Sequence, residues 1–219
     1  MKTRHIDLPL NDNALKDLEL GTAVYLNGVV YTGREGLYKR VLDQGMPPPV
    51  PLKALGNANF HCSPAASVNE DGTYNLGAVT ATASFRFARW LSDWFRVSGC
   101  RVIIGKGGMT EQDYRAHFVP NGAIYLSTVG YGTGALLGRG IKNIVDVFWL
   151  KDLGIAQAMW VLEVENFGPF LVESDMKGNS LFEREGRAIN HKVSELYEGL
   201  RKPALKRYGE TTSRSEEVI

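Results

Sequence analysis

The chain is poor in the side chains that hold metals. Its 219 residues include two cysteines and four histidines. Cys62 and Cys100 stand alone and fit neither a disulfide framework nor a zinc pattern. Two thiols are also too few for an iron–sulfur cluster. Charge of one sign is missing as well. Lys plus Arg number 25 and Asp plus Glu 24, a net +1, so no global field attracts nucleic acid or an anionic membrane. No run of about eighteen apolar residues occurs anywhere. The opening Met1-Lys-Thr-Arg-His-Ile-Asp7 has no apolar stretch of the signal-peptide kind. A cytoplasmic protein is the expectation. No internal repeat is evident. A hydrophobic fraction of 44% with 22% charged residues suits one globular domain, or one domain with tails.

What is present gathers around two stretches, Thr80-Ala-Thr-Ala-Ser-Phe-Arg86 and Ile104-Gly-Lys-Gly-Gly108. Between them Phe87, Trp90, Leu91, Trp94 and Phe95 recur at helical period, one apolar stripe. Ser84 is placed to cap this helix and Gly99 to end it. Arg86 then falls in the first turn, where the helix end is already partly positive. A cation is disfavoured there, and a dianionic ligand would relieve the cost. The run Arg101–Ile104 reads as a strand that delivers Lys106 into a glycine loop, where backbone can approach a ligand closely. An ordinary strand-to-helix turn with a surface lysine fits the same spacing.

Ala23–Tyr31 reads as a strand, and Gly33–Gln44 as a helix capped by Thr32, with Arg34 in its first turn. Met46–Pro51 is an extended connector. Asn59–Cys62 is a short strand, Ser63–Ser67 a loop, and Glu70-Asp-Gly72 the turn of a hairpin. Thr110 with Asp113 forms a capping box. Ala123–Val129 and Ile144–Leu150 are strands. Gln157–Asn166 and Pro169–Glu173 are two more, broken at Phe167-Gly-Pro169. Gly130, Gly132 and Gly134 lead a helix in a spacing superficially like a dinucleotide fingerprint, without the acidic residue that should follow. Phe182–Tyr208 reads as a terminal helix and Glu210–Ile219 as a frayed end.

The stretch from Leu18 to Asn179 resembles the β subunit, or C-terminal domain, of the class I iron–sulfur hydro-lyases, fumarate hydratase and L-tartrate dehydratase. The resemblance is carried by Gly28-Val-Val-Tyr-Thr-Gly-Arg34-Glu, Thr82-Ala-Ser-Phe-Arg86, Ile103-Ile-Gly-Lys106-Gly, Gly122-Ala-Ile-Tyr125, Asp152-Leu-Gly154 and Asp175-Met-Lys-Gly-Asn179. It implies an α/β fold, a swivelling β/β/α three-layer domain over 18–182, with an arm at 1–17 and a helix and tail at 183–219. It implies a [4Fe-4S] cluster on a cysteine-bearing α subunit, in a heterodimer or α2β2 assembly, and no metal on this chain. The implied substrate is a small 2-hydroxy dicarboxylic acid; nucleic acid and membrane are not expected partners.

Under the same resemblance Thr82 and Lys106 are catalytic, Thr82 as proton-abstracting base, while Arg34 and Arg86 bind substrate; His61, which departs from the family pattern, is a candidate substrate contact, with a buried or surface structural histidine as its alternative. A threonine hydroxyl is a weak base unless a neighbouring cation such as Lys106 stabilises its alkoxide. Helix capping is the ordinary alternative for Thr82, and a surface ion pair for each arginine. The family pattern Gly-Pro-Thr-Thr-Ser-x-Arg-Met here lacks its Gly-Pro pair and has Ala83 for the second threonine. Upstream, Tyr-Tyr-x-Gly-Pro is replaced by Phe60-His61-Cys62-Ser63-Pro64. These departures bear on which acid is used. They also keep open a non-catalytic binding or assembly subunit.

Overall fold

The structure is a computed structural model in which residues 1–11, 13–130, 132–196 and 198–199 are described. Strand β1 (Thr3–Asp7) lies parallel to β2 (Ala23–Thr32), so the opening residues join the sheet. Helix α1 (Glu35–Tyr38) continues as one π turn over Lys39–Asp43, burying Leu37, Tyr38 and Val41 as the period requires. Its N-cap is Arg34 rather than Thr32. The Thr32 hydroxyl is engaged across the sheet, donating to Ala158 O at 3.2 Å and accepting from Trp160 N at 3.0 Å.

After the proline connector come α2 (Leu52–Leu55), β3 (Ala58–Phe60) and an antiparallel hairpin, β4 (Cys62–Val68) with β5 (Tyr74–Ala81). The segment expected as a Ser63–Ser67 loop is therefore strand. This sheet has two strands only, so Pro64 can sit in it without removing a bond from a second neighbour. A 3₁₀ turn (Ser84–Phe87) precedes α3 (Ala88–Ser98), whose buried Trp90, Leu91, Trp94 and Phe95 form the expected stripe. Gly99 ends it at φ 67°, donating to Phe95 O at 2.9 Å.

Strand β6 (Val102–Gly105) leads to α4 (Glu111–Asp113), opened by the Thr110–Asp113 capping box and extended by a π turn over Tyr114–Phe118. Then come β7 (Ile124–Thr128), α5 (Thr133–Arg139), β8 (Ile141–Phe148), α6 (Leu150–Leu153), β9 (Met159–Ser174) and α7 (Leu181–Leu196). The chain divides after Glu183. The continuation of the terminal helix to Tyr208, and the end from Glu210, lie outside the described residues. The expected break at Phe167-Gly-Pro169 is instead a bulge in one 16-residue strand. Leu26 faces Phe167 and Val24 faces Phe170, so the register skips Gly168 and Pro169.

The class is mixed α/β. Strands β2, β3, β6 and β7 are parallel neighbours, and β9 runs antiparallel to both β7 and β2, closing a ring of five. Strands β1 and β8 extend it at β2 and β9. Alternation on β6 fills two cores. Val102 and Ile104 join Leu26, Phe60, Val79 and Phe170; Ile103 joins Trp94, Phe95 and Phe118 on the helical side. Each such buried side chain contributes about 1.5–3 kcal/mol. With Val79 of β5 and Ile104 of β6 in one core, the ends of these two strands meet.

Candidate active site

Ala83, just past β5, makes a parallel bridge to Lys106, just past β6. Lys106 N–H donates to Thr82 O at 3.2 Å, and Ser84 N–H to Lys106 O at 3.4 Å. Thr82 N–H donates to His61 O at 2.6 Å. The 3₁₀ turn then projects Arg86, whose Nε donates to Ala83 O at 3.5 Å. Thr82, Arg86 and Lys106 thus share one locus. No side chain caps the 3₁₀ turn or α3, so Thr82 is not a helix cap. Thr82 is 8% exposed, whereas Lys106 and Arg86 reach solvent. Past Lys106 the glycine loop holds Gly107 and Gly108 at φ 80° and 65°, the left-handed region that suits glycine.

Arg34 approaches from the β2–α1 junction. Its Nη1 donates to Ala156 O at 2.9 Å, and Gln157 Oε1 accepts from Gly36 N–H at 3.1 Å. Nε of Arg34 is buried without a hydrogen-bond partner among the described residues. Burial, and then the charge of Arg86, push the Arg34 guanidinium below its ordinary pKa. The two arginines therefore lie within electrostatic reach of each other. Arg40, Arg89, Arg96 and Arg115 are each paired with a carboxylate. Among the described residues Arg34, Arg86 and Lys106 have no such ion pair. What sets Arg34 and Arg86 apart is their electrostatic reach of each other, like charges kept near one another with no carboxylate between them. Two like charges so placed favour an anion between them; Lys106 joins them through the Ala83–Lys106 bridge of the backbone. A cleft of about 380 Å³ opens beside Lys106, lined also by Thr80, Ala81, Thr128 and Thr133.

His61 lies beneath this locus, fully buried. Nε2 is 2.6 Å from the Tyr38 hydroxyl and Nδ1 is 2.7 Å from Ser84 Oγ. Burial, helped by Arg34, pushes its pKa down to about 3, so the ring is neutral. Ser84 does not cap the helix as its position predicts; its hydroxyl points inward instead, to His61 and to Tyr125, 2.8 Å away. A Cβ on Gly105 would overlap Ser84 Oγ, which is why a glycine stands there. A second buried cluster lies at the far end of the loop. Tyr114 donates to Glu173 Oε2 and accepts from Met109 N–H at 2.8 Å, while Ser180 donates to Glu173 Oε1 at 2.6 Å. Ser84, Tyr38, Asn59, Tyr125 and Glu173 escape a reading of the sequence as parts of these clusters. Only the polarity of residues flanked by apolar strand neighbours hints at them.

The glycines of 130–138 have a packing account. A Cβ at Gly134 would lie 3.0 Å from Val79 O, and one at Gly138 would overlap Gly77 O. They let α5 lie close on β5, as a dinucleotide loop need not. The chain's own donors do not suit an iron–sulfur cluster. Among the described residues no three His, Cys, Asp or Glu side chains gather as metal ligands. Both thiols are buried, and burial pushes Cys62 well up and Cys100 to about 12.

Ring, glycine loop and the cations about them define an α/β chain with a cleft beside Lys106 and no metal donor set of its own among the described residues. The sequence matches the family model described as Fumarase C-terminus over residues 1–185, and the chain belongs to that family. It is 30% identical over 188 residues to a Methanocaldococcus jannaschii protein provisionally named L(+)-tartrate dehydratase subunit beta, covering 85% of this chain and 95% of that one. It is 30% identical over 179 residues to the L(+)-tartrate dehydratase subunit beta of Escherichia coli K12, covering 79% and 83%. A Geobacillus stearothermophilus protein, provisionally named a class I fumarate hydratase, is 30% identical over 193 residues, 88% of this chain and 36% of that longer one. No helix among the described residues is long and apolar enough to cross a membrane.

Proposed function

We propose that this chain is the β subunit of a hydro-lyase that reversibly dehydrates a 2-hydroxy dicarboxylic acid of the malate or tartrate kind. The observation that carries the reading is the set of three cations, Arg34, Arg86 and Lys106, unpaired and gathered where β2, β5 and β6 end. Two guanidiniums suit two carboxylates, since each planar fork can grip both oxygens of one. Thr82, with no hydrogen-bond partner for its hydroxyl among the described residues, takes the proton from the carbon beside a carboxylate. Lys106 holds the threonine alkoxide and then the enolate-like charge. The buried ring of His61 serves this pair from below rather than touching substrate.

The relatives' names imply an α subunit, and the [4Fe-4S] cluster of the class belongs on that partner. It would supply Lewis acidity toward the leaving hydroxyl. Binding, orientation and proton handling are this chain's share. Residues 18–182 act as the swivelling β/β/α domain, to which 1–17 add the strand β1 rather than standing off as an arm. The assembly is a cytoplasmic heterodimer or α2β2.

The test is anaerobic co-expression with a three-cysteine α subunit, then turnover measured on malate, the tartrates and their methyl homologues. Dehydration of one of them by the pair, and none by either chain alone, is expected. Stoichiometric binding of these acids without turnover would overturn the enzyme reading. It would favour the assembly-subunit alternative that Ala83, in place of a hydroxyl, suggests.

A further inference from the structure

We propose that His61 is a positioning residue for the Thr82–Lys106 pair, acting through Ser84 and Tyr125 as its Nδ1–H tautomer. Six groups from five separate segments form one buried line. Asn59 Nδ2 donates to the Tyr38 hydroxyl at 2.7 Å. That hydroxyl lies 2.6 Å from His61 Nε2, and Nδ1 lies 2.7 Å from Ser84 Oγ. Ser84 Oγ is 2.8 Å from the Tyr125 hydroxyl, which reaches Lys106 O at 3.2 Å.

Proton counting fixes the direction. Tyr38 has one proton, and Nε2 is its acceptor. The neutral ring then carries its own proton on Nδ1 and gives it to Ser84. Ser84 in turn donates to Tyr125, and Tyr125 to the Lys106 carbonyl, so every hydroxyl proton has a receiver. Reversed, Tyr38 would accept from both Asn59 and His61, and its proton would find a receiver only if the Asn59 amide also turned over. That would orphan an N–H, whereas the present wiring leaves only the Asn59 Oδ1 acceptor unpaired. Unpaired buried acceptors are tolerated better than unpaired donors.

The line ends where the site is most loosely tied. Lys106 O receives Ser84 N–H at 3.4 Å and the Tyr125 hydroxyl at 3.2 Å, both long. The Ser84 side chain, seated against Gly105 and pinned by His61, therefore sets how the 82–86 turn lies on the 105–106 backbone. What the aligned pair does rests on the hydro-lyase reading; the alignment itself does not.

Two substitutions separate the ring's nitrogens, because an Asn amide N–H falls near Nδ1 and a Gln amide near Nε2. In the assembled enzyme His61→Asn should keep kcat within about threefold. His61→Gln should lose about 100-fold in kcat, the size expected for a misplacement of about 1 Å. KM should move far less than kcat, since Arg34 stands on another segment and the long side chain of Arg86 can follow a small shift of its turn. Ser84→Ala should match His61→Gln, and the double variant should be no worse than either single. Equal kcat for His61→Asn and His61→Gln, or losses that multiply, would overturn the proposal. Nitrogen-15 spectra of the unsubstituted full chain give a readout free of catalysis. A protonated Nδ1 and a bare Nε2 are expected. The opposite pattern sinks the wiring even if the hydro-lyase reading stands, and absent turnover with the expected spectrum sinks only that reading.

Discussion

Two buried polar clusters flank the glycine loop, and they are built on opposite principles. At the Lys106 end the Asn59–Tyr38–His61–Ser84–Tyr125 line is neutral throughout, its histidine kept uncharged by burial. At the Met109 end a carboxyl, Glu173, sits under Gly108 with Tyr114 and Ser180 upon it. Burial raises its pKa against the pull of those hydroxyls. The loop's cation is thus held by a cluster that adds no charge of its own. The end away from Lys106 has the ionisable anchor. A carboxylate beneath Lys106 would have neutralised the charge that the lysine presents at the cleft.

The largest expected effect tests whether chemistry belongs to one end alone. Lys106→Ala should cost the assembled enzyme about 1000-fold or more in turnover while the subunits still co-purify. Glu173→Gln should leave turnover unchanged; equal losses in the two assays would erase the contrast. Next, Arg34→Ala and Arg86→Ala should each raise KM by about 10- to 100-fold, the worth of a charge-assisted hydrogen bond. An unaltered KM would remove that arginine from the grip.

A smaller effect compares two glycines of the loop in thermal unfolding. Gly105→Ala should lose about 2–3 kcal/mol, because its methyl group collides with Ser84 and the strand cannot yield. Gly107→Ala has open space around it and should lose about 1 kcal/mol, from its left-handed backbone alone.

The smallest effect is one of sign. His61 titrates near 3 in the fold against an ordinary 6.5, so the unfolded chain takes up the proton first. Its contribution, complete above 6.5, is lost as pH falls toward 3. Glu173 is raised above 4.5, so its contribution is present below that value and lost as pH rises through the raised one. Melting temperature measured against pH should have a shallower acid-side slope in His61→Asn, with Glu19, Glu35 and Asp71 keeping part of it, and should lose its opposite slope in Glu173→Gln. An acid-side slope unchanged in His61→Asn, or an opposite slope surviving Glu173→Gln, would point to other groups.

Local chemistry makes much of the frame legible. The Trp90–Phe95 stripe, Gly99, the Thr110–Asp113 box and the hairpin turn at Glu70–Gly72 each declare themselves within a few residues, and the fold contains all four. The proximity of Thr82, Arg86 and Lys106 also comes from the order of strand, helix and strand. Ser84 misleads because a serine before an apolar stripe is so often a cap; the pull of His61 and Tyr125 is invisible in sequence. Gly168–Pro169 misleads for a similar reason. A proline forbids one ladder bond, but only the partner's register shows that a bulge absorbs it. The line from Asn59 to Tyr125 joins positions with no common period, so no window of sequence exposes it.

The closure of the five-stranded ring sets an order of events during synthesis. Leu26 waits for Phe167, which emerges about 140 residues later, roughly 7–30 s at ordinary translation speed. Until then one flank of β2 has no strand beside it, and the fold stays unfinished while about three quarters of the 219 residues leave the ribosome. Truncations that stop short of Met159 should therefore yield insoluble product, whatever the partner subunit offers.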